Sequence, residues 1–356
     1  MADATDPRPL VPLPPQPDGV SWPVDEWPTA PVPGGVDLDR LLDEVMADDG
    51  ELTTTLAALV VHRGAIVAER YRGADGIDAS STLISWSMAK SILHALVGIL
   101  VGRGSLAAGD HPQVPEWGPP DDPRRAITLE HLLTMRDGLD FVEDYVDDTV
   151  SDVIEMLFGA GQHDVAAFAA DRPLAHEPGT FFNYSSGTTN VVSRVVRDVV
   201  GAGDAYEAFI REELFDPLGM RSATPKFDDA GTFIASSFVY ATARDFARFG
   251  LLYLRDGVWG DRRILPEGWV DHARRLRSRD DETGNGYGAQ WWVLGDDTGA
   301  FWANGYEGQS ILVSPALDLV VVRLGKTPAE RSPALRAWRQ RVLDAFAAAE
   351  PGSTDG

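Results

Sequence analysis

The sequence predicts a mixed α/β (α+β) chain: one antiparallel sheet built from both ends of the chain, covered by terminal helices, with a helical lobe inserted between. Three observations predict it. Strand-like runs stand near both ends, an amphipathic helix accompanies each set, and the middle of the chain has helical spacing throughout. At 356 residues and 44% hydrophobic content the chain is long enough to bury a large core.

Asp37 is the expected N-cap of a helix over "LDRLLDEVMA", with Leu38, Leu41, Leu42, Val45 and Met46 on one stripe and Gly50 as its stop. "LAALVVHRGAIVAERYRG" reads as a hairpin hinged at Arg63 and Gly64. Far downstream, "GAQWWVLG", "AFWAN" and "QSILVSPALDLVVVRLG" read as strands, the last run turning between Pro315 and Asp318. A final helix is expected over "SPALRAWRQRVLDAFAAA". The lobe contains "ITLEHLLTMRDGL", capped by Thr128 and stopped at Gly138, then "SDVIEMLFGA", "TNVVSRVVRDVVG", "AYEAFIREELFDPLGM" and "ATARDFARFGLLYLRDG". This divides the chain into a proline-rich arm over 1–35 that lies on the body, one folded domain over 36–346, and a tail over 347–356. Within the domain the sheet takes 36–84 and about 240–346, and the helical lobe takes about 100–235.

Composition excludes several functions. A formal charge of −24 repels phosphate backbones and anionic membranes, and no basic stripe interleaves with aromatics, so neither nucleic acid nor membrane is an expected partner. Even the apolar "ILHALVGILVG" closes at Arg103, short of a membrane span. The first thirty residues lack a basic start and a continuous apolar segment, which places the protein in the cytoplasm. With no cysteine, covalent chemistry must use oxygen or nitrogen. No His-Glu-x-x-His pair suggests a metal, no cofactor is expected, and no Gly-x-Ser-x-Gly elbow suggests a Ser-His-Asp triad. His94, the histidine nearest Ser87 in sequence, reads as a satisfied core residue.

The informative stretch is "SWSMAKSILHALVG". The chain has three lysines, and one of them, Lys90, opens a very apolar helical run three residues after Ser87. Spacing of i, i+3 puts the two side chains on one helix face. A lysine desolvated against Ile92, Leu93, Leu96 and Val97 loses its proton more readily and can activate the serine, and the amide of Ser87 can face an oxyanion. A bare Ser-x-x-Lys also fits a capped core helix with a snorkelling lysine. Two further elements distinguish the readings. "PGTFFNYSSGTTN" opens a polar loop with Tyr184, a candidate proton shuttle, and "WANGYEGQSILVSP" flanks a strand entrance with Gly305 and Gly308, so that the amide of Tyr306 can complete an oxyanion hole.

In this order the three elements resemble the serine β-lactamase and penicillin-binding-protein superfamily, above all its class C-like branch of 6-aminohexanoate-dimer hydrolases and family VIII esterases. "ITLEHLLTMRDGLDF", "LFDPLGM", "YATARDFARFGLLYL" and "LPEGWV" look like family text, and the resemblance covers about residues 36–346. It implies a β-lactamase/transpeptidase-like fold with a five-stranded type of sheet, acylation of Ser87, activation by Lys90, proton transfer by Tyr184, and an oxyanion hole of the Ser87 and Tyr306 amides. Substrate-binding candidates are Trp86, Ser186, Asn304, Gly305, Glu307 and Gly308, and Phe182 and Trp302 are candidates for an apolar wall. The chain has Tyr184-Ser185-Ser186 where many relatives have Tyr-x-Asn. It has Ala303-Asn304-Gly305 where penicillin-recognising members carry a cation, which argues against β-lactam recognition. Glu307 stands where the nearest relatives tend to have glycine, and it is expected to point to solvent more readily than to an amine-bearing substrate.

The expected function is therefore a serine hydrolase acting on a small amide or ester through an acyl-enzyme, as a monomer or homodimer. β-Lactamase or D-alanyl carboxypeptidase activity, and a non-catalytic binding module on the same fold, are the alternatives.

Overall fold

The computed structural model describes residues 9–47, 54–144 and 151–349. Five strands form the main sheet: β1 (Thr54–His62), β2 (Ala65–Tyr71), β3 (Phe301–Gly305), β4 (Gln309–Ser314) and β5 (Leu319–Lys326). They lie in the order β2-β1-β5-β4-β3, all antiparallel, so the two ends of the chain meet at the β1–β5 pair, where Leu59 faces Val322 and Val61 faces Val320. Arg63 and Gly64 both take positive φ (50° and 77°), the backbone a two-residue hairpin turn requires. Beyond β3 the sheet continues through three two-residue strands, Trp292–Val293, Gly286–Tyr287 and Ser278–Arg279. The "GAQWWVLG" run contributes so short a strand because Gln290 (φ 55°) and Gly295 (φ 74°) break the extended backbone on either side.

The sheet is buried on both faces, which is why its strands read as almost continuous apolar runs. On one face Ala58, Val60, Leu312, Leu319 and Val321 pack with Leu38, Leu41, Leu42 and Val45 of α1 (Leu38–Met46) and with Trp338, Val342 and Phe346 of α5 (Ser332–Ala349). Asp37 caps α1 as expected, accepting from the Arg40 amide at 3.4 Å; Gly50, read as its stop, lies outside the described residues. α5 runs past the expected boundary at 346 to Ala349, beyond which the tail also lies outside them.

The other face, with Leu59, Val61, Ile311, Val313, Val320 and Val322, packs against the lobe and α4 (Ala243–Leu254). Between them runs α2 (Ala89–Gly102), buried at every position from Ala89 to Leu100. A helix apolar on every side must have protein on every side, and α2 is the axis on which sheet and lobe meet. The lobe adds Leu129–Leu133, Asp152–Phe158, Val165–Ala170, α3 (Ser186–Val200) and Asp204–Ile210, which passes through a π-helical turn, Arg211–Phe215. The Thr128-capped helix is shorter than expected: Met135 at φ 58° ends it before Gly138 is reached. Among the described residues no helix is long and apolar enough to cross a membrane.

The described part of the arm has almost no regular structure and lies on the body. Arg248 Nε donates to the Pro23 carbonyl (2.6 Å), Arg255 Nε to Gln16 Oε1 (2.9 Å) and Trp27 Nε1 to the Arg244 carbonyl (3.3 Å). α4 reaches the sheet closely because Gly250 has no side chain: a Cβ there would stand 2.7 Å from both Ile311 Cγ2 and Val320 Cγ1. Gly250→Ala is therefore expected to destabilise the protein by about 1–3 kcal/mol in urea unfolding, overpacking outweighing the gain in helix propensity.

Candidate active site

Ser87 sits where an edge pairing hands over to α2. The Ser85 amide donates to the Val239 carbonyl (2.8 Å) and the Val239 amide to Ser85 Oγ (3.0 Å), fixing the backbone just before the serine. Trp86 then turns at φ 43°, a strained value for a large residue, and a single 3₁₀ turn, Trp86–Met88, carries Ser87. The α-helix proper starts at Ala89. Ser87 thus lies two residues ahead of the helix rather than in its first turn as expected, and the i, i+3 relation to Lys90 survives because a 3₁₀ turn also brings such pairs together.

Lys90 is buried, and its ammonium nitrogen has three neighbours: Ser87 Oγ at 3.0 Å, Ser186 Oγ at 2.9 Å and the Ser236 carbonyl at 3.0 Å. Ser186 is fully buried at the start of α3. It is committed on its other side to a carboxylate: its hydroxyl donates to Glu143 Oε1 (2.6 Å) and its amide to Oε2 (2.7 Å). Burial lowers the Lys90 pKa to about 8, and the charge of Glu143 opposes that fall. Tyr184 stands within hydrogen-bonding reach of Ser87, with its ring 5.0 Å from Lys90 Nζ; burial and then Glu143 raise its pKa, so it stays a neutral phenol.

β3 supplies the opposite wall. It approaches the serine turn closely because residue 305 is glycine: a Cβ there would lie 2.4 Å from the Ser85 carbonyl oxygen. Gly308 (φ 80°) is equally confined, its Cβ position 2.8 Å from Arg323 Nη1. Between them Glu307 adopts φ 58°, ψ 18°, the left-handed conformation natural to glycine. Its carboxylate does not point away to solvent. It accepts from Trp86 Nε1 (3.3 Å) and lines the cleft.

That cleft, about 240 Å³, brings together Ser87, Tyr184, Asn304, Gly305, Tyr306, Glu307 and Gly308 with Trp292 and Trp302. Across Tyr184 and Trp292 a second cleft of about 980 Å³ takes in Phe182 and Glu143. Trp86 meets Tyr306 edge-on and Phe238 at a tilt, and Ser186 lies under Lys90, so neither joins the wall beside Ser87. His94 is a core residue, bonded to Tyr253 and His272. No residue of the described arm lines either cleft. The spacing of motifs missed Glu143, which stands in an acidic run with nothing local to single it out, and the Ser236 carbonyl. Among the described residues no group of His, Asp and Glu is placed to hold a metal ion.

The chain resembles known proteins over most of its length. It is 30% identical over 327 residues to a 6-aminohexanoate-dimer hydrolase of Paenarthrobacter ureafaciens, an alignment spanning 85% of this chain and 77% of that one. A Bacillus anthracis protein provisionally assigned as a 6-aminohexanoate-dimer hydrolase superposes with a TM-score of 0.74 at 21% identity, covering 94% of this chain and 90% of its own. A family VIII carboxylesterase superposes at 0.66 and 15% identity, covering 89% and 99%. The two superpositions speak to the fold. The model of the Beta-lactamase family matches residues 38–345, from the first helix to the last, and the chain belongs to that family.

Proposed function

We propose that the chain is a serine hydrolase that cleaves a small linear amide or ester through an acyl-enzyme on Ser87. The hydrogen-bond arithmetic at Lys90 carries this reading. The Ser236 carbonyl can only accept, and Ser186 Oγ has given its proton to Glu143, so both must receive protons from the amine. A neutral lysine has two to give. Its remaining lone pair then faces Ser87, the one neighbour with a proton to lose. The network orients a base at the serine before substrate arrives.

In the acylation step Ser87 Oγ attacks the carbonyl carbon and its proton passes to Lys90 Nζ. The negative oxygen is received by the amides of Ser87 and Tyr306. Tyr184 gives its proton to the leaving nitrogen or oxygen and is reprotonated from Lys90, so the carbon–heteroatom bond breaks with no net charge left on the protein. Water then cleaves the acyl-enzyme by the reverse route. The name of the Paenarthrobacter relative makes a linear amide the first substrate to try, and the carboxylesterase likeness an aliphatic ester the second. Ala303-Asn304-Gly305 supplies no cation on β3, which disfavours a β-lactam.

Intact-mass spectrometry with a fluorophosphonate is expected to show one adduct, on Ser87. Ser87→Ala should lose both the adduct and at least about 10³-fold of the turnover of p-nitrophenyl butyrate and of a 6-aminohexanoate dimer. Wild-type turnover in that variant contradicts the mechanism. The acid limb of kcat/KM should have a midpoint near 8, because Lys90 is a base only above its own pKa. Glu143 raises that pKa, so Glu143→Gln should move the limb to lower pH; a limb that stays in place removes Glu143 from the account.

A further inference from the structure

Two residues in the left-handed backbone region border the proposed oxyanion hole, one beside each donor. Trp86 (φ 43°) immediately precedes Ser87, and Glu307 (φ 58°, ψ 18°) immediately follows Tyr306. They stand 221 residues apart in the chain, yet their side chains meet: Trp86 Nε1 donates to Glu307 Oε2 at 3.3 Å. The rings of Trp86 and Tyr306 also meet edge-on, their centroids 5.7 Å apart. Both ends of this bridge are anchored. On the serine side the Ser85 amide donates to the Val239 carbonyl (2.8 Å), the Val239 amide to Ser85 Oγ (3.0 Å), and the Trp86 ring lies 5.8 Å from that of Phe238. On the other side the Glu307 carbonyl accepts from the Thr327 amide (2.8 Å) and from Nη1 of the buried Arg323 (3.0 Å).

Glycine takes a left-handed backbone without the Cβ penalty, so a glutamate there directs attention to what its side chain does. Its charge could serve Arg323, or its oxygen could serve the indole. The contacts favour the indole, because the Arg323 guanidinium is bonded to the carbonyls of Glu307 and Gly308 rather than to the carboxylate. A hydrogen bond between two fixed ends sets the separation of what those ends carry, here the Ser87 and Tyr306 amides. We propose that Trp86 and Glu307 are positioning residues, a staple that holds the two halves of the oxyanion hole at one separation. This rests on the acyl-enzyme reading above and adds two residues that do not touch the reacting atoms. Oxyanion donors act by preorganisation, so a looser pair binds the ground-state carbonyl about as before and the tetrahedral intermediate less well.

The test follows p-nitrophenyl butyrate turnover in the full-length protein together with inhibition by phenylboronic acid, whose tetrahedral adduct on a serine oxygen reports on the hole itself. Removing a whole oxyanion donor lowers kcat by about 10²–10³-fold, and loosening the pair should lower it by about tenfold in both Glu307→Gly and Trp86→Phe, with KM little changed and boronate affinity falling in parallel. Glu307→Gln still offers an oxygen to the indole and should keep kcat within about threefold of wild type. In the Glu307→Gly background, Trp86→Phe should cost no more than about twofold further, because the bond is already gone. Glycine suits the backbone at 307, so Glu307→Gly should keep a cooperative melt, which separates lost rate from lost fold. An unchanged kcat in Glu307→Gly overturns the staple while leaving the hydrolase intact. So does a kcat that falls as far in Glu307→Gln as in Glu307→Gly, which would make the charge of the carboxylate, not its bond, the working feature. Wild-type protein with neither ester turnover nor a fluorophosphonate adduct on Ser87 removes both readings.

Discussion

Everything in the site depends on keeping one amine dry. Lys90 lies on a helix whose residues are buried from Ala89 to Leu100, and the desolvation that follows makes its proton removable near neutral pH. In the proposed mechanism a lysine at the surface, holding its proton to about pH 10, would leave Ser87 unactivated. The fold can be read as the means to this end. α2 is packed within the core that the sheet and the lobe share, and Ser87, bonded to the amine, lines a cleft of about 240 Å³. Burial alone would push the proton off too readily. The negative charge of Glu143, held beside it by Ser186, opposes that loss, and the Lys90 pKa settles at about 8.

The wall opposite Lys90 is built on close backbone approach and on local strain. Gly305 lets β3 come against the Ser85 carbonyl, which brings the next residue, Tyr306, to the cleft that Ser87 lines. Trp86 and Glu307 both occupy the left-handed region, on either side of the cleft, and the indole–carboxylate bond ties one to the other. Backbone strain of this kind costs about 1–3 kcal/mol per residue and persists only where surrounding packing imposes it. Two such residues joined by a hydrogen bond hold the mouth of the site in one geometry.

Much of this was legible in the sequence. The strands of the main sheet announce themselves by length and apolar content, and Ser87 and Lys90 are readable because their relation is local, three residues on one helical turn. Tyr184 and Gly305, unremarkable singly, were singled out by their order with the serine motif, which carries the family resemblance. What escaped was tertiary or too short. Glu143 reaches Ser186 across 43 residues, and nothing in "DFVEDYVDD" marks which acid turns inward. Arg339 sits in a regular amphipathic helix, where an arginine looks like solvent-facing charge until its stack on Trp302 places it. The sheet runs beyond the five strands expected because two-residue strands such as Gly286–Tyr287 carry no periodicity to detect, and left-handed residues such as Gln290 and Met135 end elements without a glycine or proline to signal it.

The claim on which the rest hangs is the ionisation of Lys90. Three lysines make it directly observable: in protein labelled with ¹³C at lysine Cε, a pH titration should give three resolvable signals, and Lys90→Arg identifies the one to follow. That signal is expected to titrate with a midpoint near 8. A midpoint at or above the ordinary lysine value of about 10.4 would mean that the amine is still charged where the enzyme must work, and that Ser87 is activated by some other group.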